Sequence, residues 1–194
     1  MKLLTPEGDP NVPQIIKLGV LVVGGLIVLS VIISNFPFGT VHAGERGVQL
    51  RWGAVTGKEF DEGLFFRVPV MENVVRMDIR TQKEQVLATA ASKDLQDVQA
   101  TIALNFRLSP DKTADIYQSV GLEFKERIID PALQEAVKAV TARFTAEELI
   151  TKREHVREEI RMLIKEKLTG RGFDIEEFNI VDFKFSPSFT EAIE

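Results

Sequence analysis

The hydrophobic and polar positions divide the chain into an apolar first segment and a longer part of mixed pattern. Residues 15–34 are almost entirely apolar, and their single charge, Lys17, lies near one end. A helix of about 20 residues rises about 30 Å, the thickness of the hydrocarbon core of a bilayer. The pattern therefore predicts a transmembrane helix over 15–34, preceded by an amino-terminal tail over 1–14.

The ends of this segment suit the two membrane interfaces. Lys17 can extend its amine to the headgroups while its methylene groups stay in lipid, and Pro37 is expected to end the helix beyond the other end. A cleaved signal peptide is the alternative, but the apolar run is long and no basic region precedes it. The predicted anchor comprises Ile15, Lys17, Leu18, Leu21, Leu26, Leu29, Ile33, Phe36 and Phe38.

The orientation of this anchor follows from the basic residues on either side of it. Lys2 and Lys17 lie on the amino-terminal side, and Arg46 and Arg51 lie on the other, so the charge bias is nearly balanced. We expect a single-pass arrangement with the short tail on the cytoplasmic or matrix side. The bulk of the chain is then expected on the opposite face of the membrane.

Beyond the anchor the pattern has the period of β-strands. Strands are predicted over 47–53, 62–70 and 73–86, with a turn region containing Gly57 between the first two. The clearest strand covers 97–110, where apolar residues alternate with polar ones and so define a core face. A last strand is predicted over 173–187, with a bulge near Glu177 because its phenylalanines change parity.

Residues 112–168 have helical periodicity, which we interpret as three successive helices. Pro131 suits the first turn of a helix, which makes Asp130 the expected N-cap. Thr145 and Glu148 have the spacing of a capping box, so a third helix is expected from there to about Leu168.

This third helix carries a row of cations at intervals of four residues. The simplest interpretation is a solvated face neutralised by nearby glutamates. The alternative is a contact with an acidic surface of an adjacent subunit, where charge pairs would set register and choice of partner. The predicted inter-subunit residues are Arg153, Arg157, Arg161, Lys165, Asp174, Glu176 and Glu177.

Composition removes several classes of function. The chain has 194 residues, a net charge of -5 and no cysteine, which argues against nucleic acid as a partner and excludes thiol chemistry. His42 and His155 lack neighbours of the kind that bind metals, and no nucleophile motif or phosphate loop is present. We therefore predict no enzyme activity, no catalytic residue, no cofactor and no metal site.

Several segments resemble the prohibitin family, part of the stomatin/prohibitin/flotillin superfamily that shares the SPFH or band-7 domain. The resemblance extends from about 41 to 194, and the pattern ARF-x-A-x-ELIT-x-RE is its specific part. It is carried by residues 142–160 (ARFTAEELITKREHVREEI), 92–98 (SKDLQDV), 42–55 (HAGERGVQLRWGAV) and 185–194 (FSPSFTEAIE).

The resemblance implies an α+β fold after the transmembrane helix. A membrane-proximal, strand-rich subdomain (SPFH1) would cover 41–91, and an α+β subdomain (SPFH2) would cover 92–187. Residues 188–194 would begin a coiled-coil helix, most of which is expected to be missing from this chain.

The resemblance also implies a function. Members of the superfamily assemble into large membrane rings or cages, and prohibitins associate with an ATP-dependent membrane protease. We therefore expect a scaffold that organises a membrane microdomain and sequesters or regulates a membrane-bound AAA protease. Its partners would be copies of itself or of a close paralogue, lipid and the protease. The membrane would be a bacterial plasma membrane, a thylakoid membrane or the mitochondrial inner membrane.

Two alternatives belong to other functional classes. The first is a monomeric membrane-tethered sensor or binding module, and the second is a membrane-anchored hydrolase. The size of the solubilised particle separates a scaffold from a sensor, and a closed cleft with convergent carboxylates would indicate a hydrolase.

The segment GLFFRVPVM over 63–71 lies close to the anchor in sequence. Phe65, Phe66 and Arg67 can dip into the headgroup region, with Arg67 toward lipid phosphate. Burial in the core of a small sheet is the other interpretation, and both stay open at this point.

Overall fold

The fold is given by a computed structural model that describes residues 12–34 and 36–185. Helix α1, Val12–Ser34, comes first, and its side chains are described over 16–30, all of them exposed. Within the described residues, no helix combines the length and the apolar character needed to cross a bilayer. The predicted coiled-coil start over 188–194 and most of the predicted tail lie outside the described residues, as do the side chains of Ile15 and Ile33.

Eight strands follow, paired in three antiparallel sheets. Their orders are β1-β4, β3-β2-β5 and β6-β7-β8. The strands are β1 (Phe38–Val41), β2 (Glu45–Arg51), β3 (Ala54–Phe60), β4 (Gly63–Phe66), β5 (Glu72–Asp78), β6 (Gln82–Ala91), β7 (Asp97–Leu108) and β8 (Phe173–Phe185).

Two predictions for the first sheets are corrected. The region around Gly57 is strand β3 rather than a turn, because an irregularity in its pairing with β2 accommodates the turn-forming residues within the strand. The single strand predicted over 73–86 is two strands, β5 and β6, which belong to different sheets.

The sheet β6-β7-β8 holds the core of the molecule. β7 is central, and its even-numbered apolar residues from Val98 to Leu108 are fully buried, as the predicted period of two requires. β8 carries two register shifts, at Glu176 and at Val181, so the predicted bulge near Glu177 is confirmed and a second one is added. Each extra residue changes the parity, which keeps both Phe173 and Phe178 buried.

Four helices follow β7, and two of them, α3 and α5, pack against this sheet. α3 contacts β6 and α5, and α5 also contacts β8. The residues that α5 buries recur at helical spacing: Val156, Ile160, Ile164 and Leu168. The helices are α2 (Thr113–Val120), α3 (Asp130–Thr141), α4 (Ala146–Thr151) and α5 (Arg153–Thr169).

Two helix predictions are wrong in detail. Asp130 is not an N-cap: a wide turn over Lys125–Ile129 runs directly into α3, and the Asp130 amide donates to the carbonyl of Lys125. The wider turn accommodates Pro131, which lacks an N–H and would crowd a regular preceding turn. The long helix predicted from Thr145 is interrupted at Lys152, while its capping box is confirmed.

The first sheets join the helical part through a partly buried carboxylate on β3, that of Glu59. Glu59 Oε1 accepts hydrogen bonds from Thr113 Oγ1 at 2.7 Å and from the Ala114 amide at 2.8 Å, at the start of α2. Arg46 on β2 lies 3.7 Å from the second oxygen of Glu59. This contact fixes β2 and β3 against α2.

Candidate functional site

Exposed aromatic rings lie on the small sheet that follows α1. Phe38 on β1 pairs with Phe66 on β4, and their ring centroids are 5.5 Å apart. Phe36 lies 5.5 Å from Phe38, and Leu64 is exposed on β4. Because α1 ends at Ser34 and β1 begins at Phe38, this aromatic cluster directly follows the apolar helix.

Phe65 lies on the opposite face of β4. Its side chain is only 8% exposed and stacks on Phe60 at 5.1 Å between centroids. Gly39 faces this ring, and a β-carbon there would collide with it. Phe65 is thus a core residue of the small sheet, whereas Phe66 is exposed and Arg67 is half-buried. Only the latter two could reach lipid without unpacking the sheet.

Two loop tips extend the exposed apolar surface. Trp52, between β2 and β3, is 69% exposed, and Val70, between β4 and β5, is 80% exposed. The Trp52 amide donates to the carbonyl of Met71 at 2.9 Å, so the two loops are held together. Val70 belongs to the segment 63–71 already singled out from the sequence, whereas Trp52 was missed; a large apolar residue beside Gly53 of a tight turn was the available signal.

Glu72 holds the second loop in place. Its carboxylate accepts from the Val68 amide at 3.0 Å and from Arg51 Nη2 at 2.8 Å. The amide of Val68 and the guanidinium of Arg51 hold the pKa of Glu72 below its ordinary value. Exposed apolar side chains are therefore presented on a loop whose backbone is fixed.

The cationic row on α5 mostly pairs within its own chain. Arg153 Nη2 donates to the carbonyl of Ile180 on β8 at 3.0 Å. Arg157 lies 2.8 Å from Glu154, and Arg161 lies 3.1 Å from Glu158. Lys165 is exposed at the end of the row.

The predicted acidic partners lie on the outer face of the sheet. Arg107 on β7 lies 3.4 Å from Asp174 and 3.8 Å from Glu176. Asn105 donates to Glu177 at 3.2 Å. The structure therefore does not bring the row and these acids together in one chain, and their contact between adjacent subunits stays a prediction.

Within 12–34 and 36–185, no group of three or more metal-binding side chains lies close enough to hold an ion. His155 is exposed, with Nε2 3.2 Å from Glu159. Burial and the nearby carboxylates of Glu84 and Glu126 raise the pKa of Asp130, although Lys125 opposes them.

Comparison with known proteins gives the family. Residues 40–194 match the SPFH domain / Band 7 family. The chain is 34% identical over 155 residues to Mitochondrial prohibitin complex protein 1 of Caenorhabditis elegans, covering 79% of this chain and 56% of that protein. It is 31% identical over 194 residues to Prohibitin-7, mitochondrial, of Arabidopsis thaliana, covering 100% and 68%.

A third relative is similar to the same extent. Prohibitin-1 of Saccharomyces cerevisiae is 33% identical over 155 residues, which cover 79% of this chain and 54% of that protein. The chain thus spans between 54% and 68% of the length of these relatives. With this extent of similarity, the chain belongs to the SPFH domain / Band 7 family, as a prohibitin-type member.

Proposed function

We propose that the chain is a membrane scaffold that assembles into a large ring or cage and organises the bilayer around it. The observation that carries the proposal is the set of exposed apolar side chains on α1, in the aromatic cluster that follows it and at the loop tips Trp52 and Val70. Exposed apolar surface of this extent marks a membrane or protein interface.

In this proposal the apolar segment over 15–34 is the single-pass anchor predicted from the sequence, and the loop tips rest at headgroup depth. Phe66 and Trp52 enter the interface as apolar bodies, and Arg67 lies close enough to approach lipid phosphate. The scaffold acts without catalysis, as a wall of identical copies or of a close paralogue that confines lipid and a membrane-bound AAA protease. The mitochondrial relatives make the mitochondrial inner membrane the first candidate location, followed by a bacterial plasma or thylakoid membrane.

The membrane contact can be tested with the only tryptophan of the chain. We would reconstitute the full chain into vesicles that contain lipids brominated at a known acyl depth and measure quenching of Trp52 fluorescence. Strong quenching by shallow bromines is expected if the loop tips enter the interface. The matched control carries Trp52→Phe and Leu122→Trp, which moves the indole to an exposed position on a different loop.

The variant Phe66→Glu provides a second test of the membrane contact. Because the Phe66 side chain is exposed, the fold should survive, while quenching of Trp52 should fall severalfold as the charge resists entry into lipid. Met162→Glu, on the exposed side of α5, should leave quenching unchanged. Equal quenching in Phe66→Glu and the unmodified chain would contradict the proposed membrane contact.

Assembly is tested by the mass of the particle in mild detergent. Light scattering or electron microscopy should give a particle many times the 21.7 kDa of one chain. A homogeneous monomer would instead support a tethered sensor. Co-purification of an AAA protease from the membrane, lost when the particle is dispersed, is expected if the scaffold holds that partner.

A further inference from the structure

The loop between β6 and β7 is a rigid turn. Ser92 is buried, and its hydroxyl donates to Asp94 at 2.6 Å and accepts from the Gln96 amide at 3.0 Å. The second contact of Asp94 is the Ala146 amide at the start of α4, at 3.0 Å. The Lys93 amide donates to the carbonyl of Phe144 at 2.8 Å. The turn is therefore fixed both internally and against the helices.

Leu95 projects into solvent from the tip of this turn. It is 85% exposed, and its φ of 63° is in the left-handed region that leucine rarely adopts. Its amide donates to the carbonyl of Ser92 at 3.0 Å, which maintains that backbone. A strained, apolar and rigidly presented residue is more typical of a recognition element than of a solvent-exposed loop.

An open cavity of about 460 Å³ lies at the far end of the same subdomain. Ile116 and Ile128, both buried, contribute apolar lining. Three cations and a single carboxylate also line it: Lys112, Arg127, Arg171 and Asp115. Lys112 lies 3.3 Å from Asp115, and Arg127 pairs with Glu123 at 2.6 Å. Arg171 is exposed and has no ion-pair partner within the described part of the chain.

The turn and the cavity cannot meet within one molecule. The turn precedes Asp97, the first residue of β7, whereas the cavity is lined by Lys112, four residues after Leu108, the last residue of that strand. A strand of this length holds its ends roughly 36 Å apart, at about 3.3 Å for each residue. A projection at one end and a cavity at the other allow a head-to-tail contact between copies. Repeating this contact gives a closed ring if the rotations between successive copies add up to a full turn.

We propose that Leu95 of one copy of this chain inserts into the cavity of the next copy. Asp97 of the first copy then faces Arg171 of the second. The cavity offers an apolar lining and an excess of positive charge, and the turn offers an apolar tip beside an exposed carboxylate. The inference rests on the proposed assembly and names the contact between SPFH2 subdomains that would build it.

The absence of cysteine from the sequence allows a direct test by crosslinking. The full chain would carry Lys93→Cys, beside the projection, and Ser119→Cys, in the lining of the cavity. A short bismaleimide should then give a ladder of covalent multimers, because every copy carries both halves of the contact. The control chain carries Lys93→Cys with Met162→Cys, an exposed position on α5, and should give no ladder.

Two sets of variants test the contact without disturbing the fold. Leu95→Gly removes the side chain and suits the left-handed backbone, so the chain should unfold at the same temperature or higher. Its crosslinking should nevertheless fall by about tenfold, the loss expected when a central apolar anchor is removed. Asp97→Arg and Arg171→Asp should each weaken crosslinking, and the two substitutions combined should restore it.

Light scattering on the same samples separates this inference from the proposed function. A large particle without a ladder from the Lys93→Cys and Ser119→Cys chain would overturn the head-to-tail contact and leave the scaffold in place. A monomeric particle would overturn both. Equal ladders from the test and control pairs would show non-specific crosslinking and would also overturn the contact, as would a combined charge exchange that fails to restore the ladder.

Discussion

Among the described residues, Asp130 has surroundings that disfavour its ionised form. One of its carboxylate oxygens is buried without a hydrogen-bond partner, and the carboxylates of Glu84 and Glu126 are nearby. Lys125 is the compensating cation, but it lies 3.5 Å from Glu84 and is shared with it. Burial and the two like charges therefore raise the pKa of Asp130.

This raised pKa leads to a prediction with a definite sign. An acid that binds its proton more tightly in the folded state destabilises that state above the folded pKa, and this penalty disappears below the unfolded value of about 3.9. Asp130→Asn should therefore raise the melting temperature at pH 7, and the gain should vanish as the pH falls below about 4. Thermal unfolding of both chains across this pH range measures the effect.

Glu135→Gln is the matched control for this prediction. Glu135 lies on the same helix, is exposed, and pairs with Lys167 at 2.9 Å. Its removal should leave the melting temperature nearly unchanged, since exposed pairs contribute only about 0–1 kcal/mol. An Asp130→Asn chain that is less stable at pH 7 than the unmodified chain would contradict the argument.

At the scale of elements, the start of α4 is the best-defined helix end. Thr145 Oγ1 accepts from the Glu148 amide at 3.2 Å, and the Glu148 carboxylate accepts from the Thr145 amide at 3.1 Å. Asp94 satisfies a further free amide, that of Ala146. This helix end joins the sheet to the helices through the turn that carries Leu95.

Thr145→Ala should lower the free energy of unfolding by about 1 kcal/mol, the usual cost of losing an N-cap. Thr169→Ala, exposed at the last turn of α5, is the control and should cost much less. Urea unfolding followed by far-UV circular dichroism measures both. An equal loss of unfolding free energy in the two variants would show that the N-cap hydrogen bond of Thr145 does not stabilise the fold.

Elements with one dominant local signal could be predicted from the sequence. β7 followed from its strict alternation, the cap of α4 from its Thr-x-x-Glu spacing, and the β8 bulge from a change of parity. β3 was missed because Gly57 is a turn residue, and only its pairing with β2 makes it a strand. The N-cap at Asp130 failed because a wider turn can continue through Pro131, which no local pattern reveals.

The candidate surfaces were predicted less well than the fold. Phe65 and Phe66 are adjacent, and only the pairing of β4 with β1 decides which ring is buried. Trp52 and Val70 come from different loops that meet through one hydrogen bond between backbones. Such a surface is a property of tertiary packing, so periodicity along the chain cannot identify it.

For the molecule as a whole, Glu59 is the main polar link between the first sheets and the helices. Glu59→Ala would leave the Ala114 amide without its acceptor, the Thr113 hydroxyl with only the Pro110 carbonyl at 3.2 Å, and Arg46 with one carboxylate fewer. We expect a loss of about 2 kcal/mol, because buried donors without partners cost about 1–3 kcal/mol. The fluorescence of Trp52 should also report unfolding before circular dichroism does, as the first sheets separate from the helices.

Glu62→Ala removes an exposed carboxylate close to Glu59 in sequence and serves as the control. For Glu62→Ala, Trp52 fluorescence and circular dichroism should give the same unfolding midpoint, equal to that of the unmodified chain. Coincident transitions in Glu59→Ala would show that the two parts are held by other contacts.

The short connection between α1 and β1 has a mechanical consequence. Only residues 35–37 separate Ser34 from Phe38, a span of at most about 14 Å when fully extended. The position of the helix and the position of the folded domain are therefore coupled in each copy. In a closed circle of copies, the spacing between neighbouring folded domains would set the spacing between their helices. A tilt of one folded domain would likewise tilt its helix.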